Sequence, residues 1–371
     1  MKRLLFLVTE DWYFCSHRLP IARAAKAAGY DVHVACRVQG HAANIEREGI
    51  GLHALRELSR SSRHPLREAR ALREITALYR ALRPDIVHHV ALKPVIYGSI
   101  AARRAGVKAV VNAMAGLGYV FSSPDLKARL VRPFVGGALR GLLESGNSRV
   151  ILQNDEDAAH LGVRNAVVIR GSGVDLDAFA PSEEPRGDPL VVLPARMLRD
   201  KGVVEFVEAA RALKAEGVNA RFALVGAPDE ENPAYIPESQ LRAWVKEGAV
   251  EYWGWRDDMA SVFAQCAVVC LPSWREGLPK VLVEATAAGR PIVTCDVTGC
   301  RDVVADGKNG LLVPPRDPRA LAAALRELLE NPNRRKAMGA EGRRLAERFS
   351  TENVVADTLK LYAEVGAEIG A

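Results

Sequence analysis

The chain has 371 residues, a length that allows two or three domains. Its residues are 49% hydrophobic and 26% charged, which is the composition of a globular protein. It has no run of eighteen apolar residues, and its start, MKRLLFLVTEDW, turns acidic too early for a signal peptide. We therefore expect no transmembrane helix and a cytoplasmic protein. The six cysteines form no C-x-x-C pair, which predicts reduced, buried side chains without a metal or redox role.

The net charge of +6 is distributed unevenly along the chain. Residues 1–180 carry 26 Lys and Arg against 16 Asp and Glu, a net +10, whereas residues 181–371 carry 25 against 29, a net −4. A basic first half predicts an anionic partner, for which nucleic acid and a membrane surface are the usual candidates.

The first elements predict a parallel sheet. An apolar strand over residues 3–8 precedes a helix over 20–28, which ends at Gly29, and a second strand over 31–36. This β-α-β order is typical of a doubly wound α/β domain. Further strands are predicted over residues 85–90, 109–113, 149–153 and 166–170. We expect one Rossmann-like domain over residues 1–175.

The first β–α turn, residues 9–20, offers an anion site. Ser16 can cap the helix, and His17 and Arg18 lie at its entrance. A simple cap with surface cations explains the same residues equally well. No G-x-G-x-x-G motif is present, so dinucleotide binding has no support.

A second polar group lies at the end of the strand over residues 85–90. His88, His89 and Lys93 fall at its carboxyl end, the edge of a doubly wound sheet where ligands bind. A strand sends successive side chains to opposite faces, so at most one histidine can face a site directly. We expect the other to be a hydrogen-bonded structural residue.

Residues 171–189, rich in Gly, Pro and acidic residues and without a period, predict a linker. A second alternating set follows, which predicts a second doubly wound domain over residues 176–350. Its strands are expected over residues 190–194, 220–226, 249–254, 268–271, 291–295 and 310–314.

Two basic stretches in the first half could contact a membrane. Residues 125–146 form an amphipathic pattern, interrupted by Pro133 and a glycine pair. Packing of a helix pair in the core explains the pattern equally well. The candidate membrane-contact residues are Lys127, Arg129, Arg132, Phe134 and Arg140. Residues 59–73 form the second basic stretch.

Two cations follow the strand over residues 190–194. Arg196 and Lys201 stand between that strand and a helix, where they oppose the helix dipole unless an anion lies among them. Two solvated loop cations are the alternative. Further on, the strand over 249–254 presents Trp255 and Arg256 at its end.

The stretch VVCLPSWREGLPKVLVEATAAGRPIVTC carries two glutamates separated by seven residues. With a helix whose first turn carries Pro279, Glu276 lies just ahead of the positive helix end, and Glu284 lies about 7 Å along the axis. Gly277 permits close backbone approach. A nucleotide sugar, with an anionic middle and hydroxyls at both ends, fits this spacing. A capping-region carboxylate and a solvated helix residue fit it equally well.

This stretch, continued by DVTGCRDVVADGKNGLLVPPRD, closely resembles the E-x7-E signature of the retaining glycosyltransferases of family 4. The resemblance implies a GT-B fold, in which two Rossmann-like domains enclose a cleft. It also implies retaining transfer of a sugar from a nucleotide diphosphate donor, with UDP as the expected nucleotide. Neither a metal ion nor another cofactor is expected, because cationic side chains stabilise the leaving group.

The resemblance assigns the site residues of the second domain. Arg196 and Lys201 hold the diphosphate, Glu276 orients the sugar and Glu284 binds the ribose. Arg196, Lys201 and Glu276 are thus the expected catalytic residues. The loop with Trp255 contacts the base. The remaining donor-binding residues expected are Ser273, Gly277, Leu278 and Pro279.

In the first domain the resemblance implies acceptor binding, for which the candidate residues are Ser16, His17, Arg18, His88, Lys93 and Asn112. Residues 112–123, beginning with Asn112, are similar to a glycine-rich acceptor loop, but Ala115 stands where many relatives carry a histidine. The strings GLGYVF and GCRDVV resemble those of bacterial transferases that build surface or glycoprotein glycans on a polyprenyl diphosphate. The C-terminal helix, within residues 351–371, is expected to cross back to the first domain.

Two alternatives come from other classes of function. A sugar-nucleotide epimerase shares the fold, but the E-x7-E match disfavours it. A basic nucleic-acid-binding module would need patches in which aromatic and basic residues alternate, and the first half lacks them. We therefore expect no nucleic-acid partner.

Overall fold

The computed structural model describes residues 1–60, 64–114, 116 and 136–368. The chain divides into two compact units. The first comprises Met1–Gly173 and Thr351–Ala371, and the second Val174–Ser350.

The first unit contains a seven-stranded parallel sheet with the strand order β3-β2-β1-β4-β5-β6-β7. Its chain order reverses between β1 and β4, which makes that position the switch point of a doubly wound sheet. The strands are β1 Arg3–Glu10, β2 Asp31–Arg37, β3 Gly51–Ala54, β4 Ile86–Val90, β5 Ala109–Ala113, β6 Asn147–Leu152 and β7 Ala166–Val168.

Helices cover both faces of this sheet, so its central strands are buried and mostly apolar. The described helices are Asp11–His17, Leu19–Ala27, Ala42–Arg47, Pro65–Leu82, Leu92–Ala105, residues 136–143, Asp155–Leu161 and Thr351–Ala367.

The C-terminal helix Thr351–Ala367 belongs to the first unit. It packs against helix Leu19–Ala27 and strands β4 to β6. Asn147 Nδ2 donates to the carbonyl of Val365 at 3.0 Å, and Lys2 Nζ to that of Gly366 at 2.7 Å. Tyr362 is fully buried beneath the sheet.

The second unit contains a six-stranded parallel sheet with the order β10-β9-β8-β11-β12-β13. Its switch point lies between β8 and β11. The strands are β8 Leu190–Pro194, β9 Arg221–Val225, β10 Glu251–Gly254, β11 Val268–Leu271, β12 Ile292–Cys295 and β13 Gly310–Val313. The helices are Val203–Ala215, Glu238–Lys246, Met259–Gln265, Lys280–Ala287, Cys300–Val303, Pro318–Glu330 and Pro332–Ala346, with short 3-10 turns at Arg199–Lys201 and Glu347–Phe349.

Arginines of the second unit bind the segment that the sequence predicts as a linker. An Nη of Arg343 donates to the carbonyls of Leu176 at 2.8 Å and Phe179 at 3.3 Å. Arg290, only 4% exposed, donates to Ser182 Oγ at 2.7 Å. Residues 174–182 are therefore fixed to the second unit and do not form a free tether.

Residues 9–20 differ from the predicted turn. Strand β1 continues to Glu10, and Asp11–His17 form a short helix ahead of the helix Leu19–Ala27. Ser16 lies inside the first helix, and Arg18 stands at the N-terminal end of the second without a side-chain cap. The predicted cap by Ser16 is therefore wrong. Strand β3 was not predicted, because it is only four residues long and half-buried.

His88 and His89 are both fully buried in the first unit. His88 stacks on Phe6, with ring centroids 5.1 Å apart, and its Nδ1 lies 2.5 Å from Tyr362 Oη. The sequence predicts that at most one of the two histidines faces a site, and in this structure neither does, because core side chains surround both rings.

The hydrogen bonds of His89 define its tautomer. Its Nδ1 lies 2.8 Å from Asn112 Oδ1, which can only accept, so Nδ1 carries the proton and Nε2 accepts from Tyr79 Oη at 3.0 Å. Desolvation lowers the pKa of His89 from 6.5 to about 4, although the bond to Asn112 opposes the shift. Desolvation also lowers the pKa of His88.

The first unit should therefore lose stability in mild acid. Below pH 6.5 the unfolded chain binds a proton at His89 that the folded unit does not, so its free energy of unfolding should fall as the pH drops toward 4. The contribution of His89 is up to about 3 kcal/mol. Amide hydrogen exchange in β4 and β5 measures this dependence. His89→Gln should flatten it in part, because His88 remains, whereas the exposed His160→Gln should not; equal slopes in all three proteins would contradict the assignment.

Candidate active site

The predicted catalytic residues of the second unit meet at its switch point. Lys201 follows β8 and Glu276 follows β11, and these two strands are neighbours in the sheet. The carboxyl ends of parallel strands on either side of a switch point form a crevice in which ligands commonly bind. The loops after the two strands, residues 195–202 and 272–279, build the candidate site.

The two loops are fastened together through the backbone of Asp200. Its carbonyl accepts from Trp274 N–H at 2.9 Å and from Ser273 Oγ at 3.1 Å. Gly202 has a φ of +74°, and a Cβ there would overlap the carbonyl of Pro272. A side chain at position 202 would thus force the loops apart.

Trp274 fixes the same loop through its side chain. Its Nε1 donates to Glu205 Oε1 at 3.0 Å, and the Arg316 guanidinium stacks 4.1 Å from the ring centroid. The Nη2 of Arg275 donates to Asp200 Oδ2 at 3.2 Å. These contacts give the residues before Glu276 a defined conformation.

Glu276 and Lys201 form an ion pair, with Oε1 and Nζ 2.5 Å apart. Their side chains are only 11% and 20% exposed, so solvent screens the pair weakly. Gly299, with a φ of +51°, lies against the backbone of Glu276 and Gly277, where a Cβ would come within 2.8 Å of the Glu276 carbonyl oxygen. The loop is thus supported from the β12 side as well.

Glu284 lies in the helix Lys280–Ala287, which begins directly after Pro279. Its residue is 7% exposed, so the alternative of a solvated helix residue is wrong. Desolvation raises the pKa of Glu284, and Lys280, whose Nζ lies 3.0 Å away, opposes the shift. A carboxylate kept in such a place is suited to accept hydrogen bonds from ligand hydroxyls.

Arg196 pairs with Asp229, whose Oδ2 lies 2.5 Å from one Nη. Asp229 belongs to the loop after β9, the neighbour of β8 on the other side. The sequence prediction missed this residue, because nothing in the local pattern relates positions 33 residues apart. It also missed Lys280, although the i,i+4 spacing to Glu284 on one helix was a usable signal.

The other predicted donor residues differ in exposure. Trp255 is 67% exposed, available to stack on a base, and Arg256 pairs with Asp258 at 2.5 Å. Ser273 is fully buried, and its hydroxyl is used within the protein. Leu278 is 9% exposed. Ser273 therefore shapes the loop and offers no surface to a donor, contrary to the prediction.

The predicted acceptor residues of the first unit are mostly engaged within it. Arg18 is 4% exposed, and Asn112, fully buried, accepts from His89 and Ser99. Lys93 Nζ donates to Glu68 Oε1 at 2.9 Å. His88 and Asn112 have no exposed surface and therefore cannot contact an acceptor in this conformation. The prediction that these two residues bind the acceptor is wrong.

Ser16 and His17 are accessible but bonded to each other, with Oγ and Nδ1 2.5 Å apart. Arg140 is exposed on the helix of residues 136–143. The other predicted membrane contacts lie outside the described residues: Lys127, Arg129, Arg132 and Phe134.

Across residues 1–60, 64–114, 116 and 136–368, no helix is long and apolar enough to span a membrane. The same residues contain no group of three or more His, Cys, Asp or Glu arranged to hold a metal ion.

Comparisons with known proteins agree with this geometry. A family model described as "Glycosyl transferase 4-like" matches residues 3–154, and one described as "Glycosyl transferases group 1" matches residues 188–331. The chain is 29% identical over 367 residues to the N,N'-diacetylbacillosaminyl-diphospho-undecaprenol alpha-1,3-N-acetylgalactosaminyltransferase of Campylobacter jejuni, with 94% of this chain and 95% of that protein covered.

Solved structures match the fold over nearly the whole chain. Sucrose-phosphate synthase from Thermosynechococcus elongatus gives a TM-score of 0.81 at 21% identity, covering 99% of this chain and all of the other. HepE from Anabaena in complex with UDP gives 0.76 at 18% identity, covering 98% of this chain and 100% of that one.

Two doubly wound domains with this crevice define the GT-B class of folds. The chain belongs to the glycosyltransferases of the group 1 and family 4 type. The resemblance to glycosyltransferases and the expected GT-B fold are thereby confirmed.

The burial of the Glu284 carboxylate is expected to lower the stability of the second unit. Glu284→Gln should raise the thermal midpoint of the second unit at pH 8, because it removes a desolvated charge while Lys280, whose side chain is 32% exposed, can turn to water. The folded pKa lies above 4.5, so the gain should appear as the pH rises through that pKa and vanish below 4.5. Differential scanning calorimetry measures it. Glu341→Gln, which removes a half-buried charge paired with the exposed Arg344, is the control. A lower midpoint for Glu284→Gln at pH 8 would show that the ion pair outweighs the burial.

Proposed function

We propose that the protein is a retaining glycosyltransferase that moves a sugar from a nucleoside diphosphate donor, UDP-linked, to a glycan carried on a polyprenyl diphosphate. The observation that carries the proposal is the Lys201–Glu276 pair at the switch point of the second sheet. Relatives support the acceptor class, since the Campylobacter jejuni protein is named for a diphospho-undecaprenol-linked substrate. Synthesis of a bacterial surface glycan is the process that this acceptor implies.

Each site residue is proposed to bind a different part of the donor. Arg196 and Lys201 bind the diphosphate, and Glu276 hydrogen-bonds the sugar hydroxyls. Glu284 binds the ribose from its position inside the helix, and the loop with Trp255 contacts the base. The second domain is thus the donor domain, and the first, with its basic charge, is the acceptor domain.

The transfer is proposed to proceed on one face of the sugar. The bond between the anomeric carbon and the phosphate oxygen breaks, and the acceptor oxygen bonds to the same carbon. The departing phosphate takes the acceptor proton, so no protein nucleophile takes part. Arg196 and Lys201 stabilise the charge that develops on the diphosphate, the role that a divalent metal plays in other enzymes. We therefore infer that no metal or cofactor is required.

Thermal shifts with UDP, GDP and ADP, each with and without EDTA, test the donor site. A selective shift that EDTA leaves unchanged is expected. Product analysis with donor alone separates the proposal from a sugar-nucleotide epimerase, which would convert the donor without an acceptor.

Substitutions separate binding from turnover. Glu276→Ala should lower turnover about 100-fold or more while leaving UDP affinity within about threefold, because the sugar and not the diphosphate loses its partner. Arg196→Ala should weaken UDP binding about tenfold, the effect of losing a charged hydrogen bond. Calorimetry and initial rates measure the two effects. Unchanged turnover in Glu276→Ala would remove the central assignment.

Membrane contact is proposed for the first domain, which would place the enzyme at the cytoplasmic face of the membrane. Leu66 is 65% exposed at the start of helix Pro65–Leu82, beside the exposed Arg67 and Arg70.

Co-sedimentation with phosphatidylglycerol vesicles tests this contact. Binding should weaken in high salt and fall severalfold in Arg67→Glu/Arg70→Glu, since each basic residue near an anionic surface contributes about 1 kcal/mol. Arg242→Glu, on an exposed helix of the second unit, is the control. Equal binding by all three proteins would place the contact elsewhere.

A further inference from the structure

Both cations proposed to hold the donor diphosphate already carry a protein carboxylate. Lys201 pairs with Glu276 at 2.5 Å, and Arg196 pairs with Asp229 at 2.5 Å. The position of these cations near a helix N-terminus predicts a neighbouring anion, and the structure provides two, Glu276 and Asp229. The pair at Arg196 differs from the other in one respect, because Asp229 has no role in the proposed chemistry.

Asp229 is held in place by its loop. The loop after β9, residues 226–236, runs beside the loop after β8: Met197 N–H donates to the carbonyl of Ala227 at 3.0 Å, and Ile236 N–H to that of Met197 at 2.8 Å. A third bond joins Arg199 N–H to Ala234 at 2.9 Å. The loop therefore holds the Asp229 carboxylate beside Arg196.

Exposure shows which partner can be exchanged. The Asp229 side chain is 11% exposed, whereas that of Arg196 is 39% exposed. The arginine has exposed surface that a ligand can approach, whereas its carboxylate partner is largely covered by protein. Guanidinium presents several N–H groups in a planar fork suited to phosphate oxygens. A diphosphate that approaches this exposed surface competes with Asp229 for the same charge.

We propose that Asp229 is a resident counter-ion of Arg196 that the donor diphosphate displaces or shares, so that it lowers nucleotide affinity and speeds release of the nucleoside diphosphate product. The proposal rests on the proposed function of Arg196 as a diphosphate ligand. Asp229 keeps Arg196 oriented and neutralised when the site is empty.

The test is UDP binding to Asp229→Asn, a near-isosteric change that removes the charge. Kd should fall about two- to fivefold, the range for a partly exposed ion pair, and product inhibition by UDP should strengthen by the same factor. Glu341→Gln is the control, because it makes the same change in net charge at an exposed helix pair, Glu341–Arg344. Its Kd should equal that of the wild type.

A double variant shows whether Asp229 acts through Arg196. If Asp229 acts by competing for Arg196, Asp229→Asn should have no effect once the arginine is removed, and Arg196→Ala/Asp229→Asn should bind UDP no more tightly than Arg196→Ala. If Asp229 instead repels the ligand directly, the double variant should bind UDP more tightly than Arg196→Ala, which would contradict the proposal. Thermal midpoints of all variants establish that each is folded.

The outcomes separate this inference from the proposed function. If UDP and GDP both fail to bind the wild type, the donor-site assignment fails. If the wild type binds and Asp229→Asn binds equally or more weakly, the donor site stands and the counter-ion proposal is overturned, since Asp229 would then serve to orient Arg196 for the ligand. Tighter binding that disappears in the double variant supports the proposal.

Discussion

The candidate site depends on the attachment of two loops to one backbone carbonyl. Asp200 accepts from Trp274 and Ser273, and Gly202 leaves room for the chain at Pro272. Lys201 and Glu276, 75 residues apart in sequence, are brought to 2.5 Å by this attachment. A change that separates the loops would therefore remove the ion pair without touching either charged residue.

The charges of the site are balanced before any ligand arrives. Arg196 and Lys201 each face a carboxylate, so under the proposed function a donor would enter by exchanging partners and not by neutralising bare cations. Glu284 differs from these paired groups, because its burial raises its pKa and disfavours its charged form. Residues kept at such a cost in stability are typical of functional sites.

The first unit illustrates how the core can use polar residues that look like ligands. His88, His89 and Asn112 stand near strand ends, where a doubly wound sheet binds substrates, yet each is fully buried. Tyr79 and Tyr362, from two helices distant in sequence, hydrogen-bond His89 and His88, and Asn112 accepts from His89 and Ser99. A strand-end histidine becomes structural when the core can offer it a partner.

Apolar periodicity and turn residues are local properties, so the amino-acid sequence alone predicted most of the strands, the two-domain order and the E-x7-E stretch. β5, β8 and β11 have the predicted bounds, whereas the short strand β3 was missed. It did not reveal the helix Asp11–His17, the burial of Ser273 or the partner of Arg196. Those depend on which side chains meet across a sheet edge, and Asp229 reaches Arg196 from 33 residues away. These features follow from tertiary packing, because hydrogen bonding and desolvation at a site are set by neighbours in space and not in sequence.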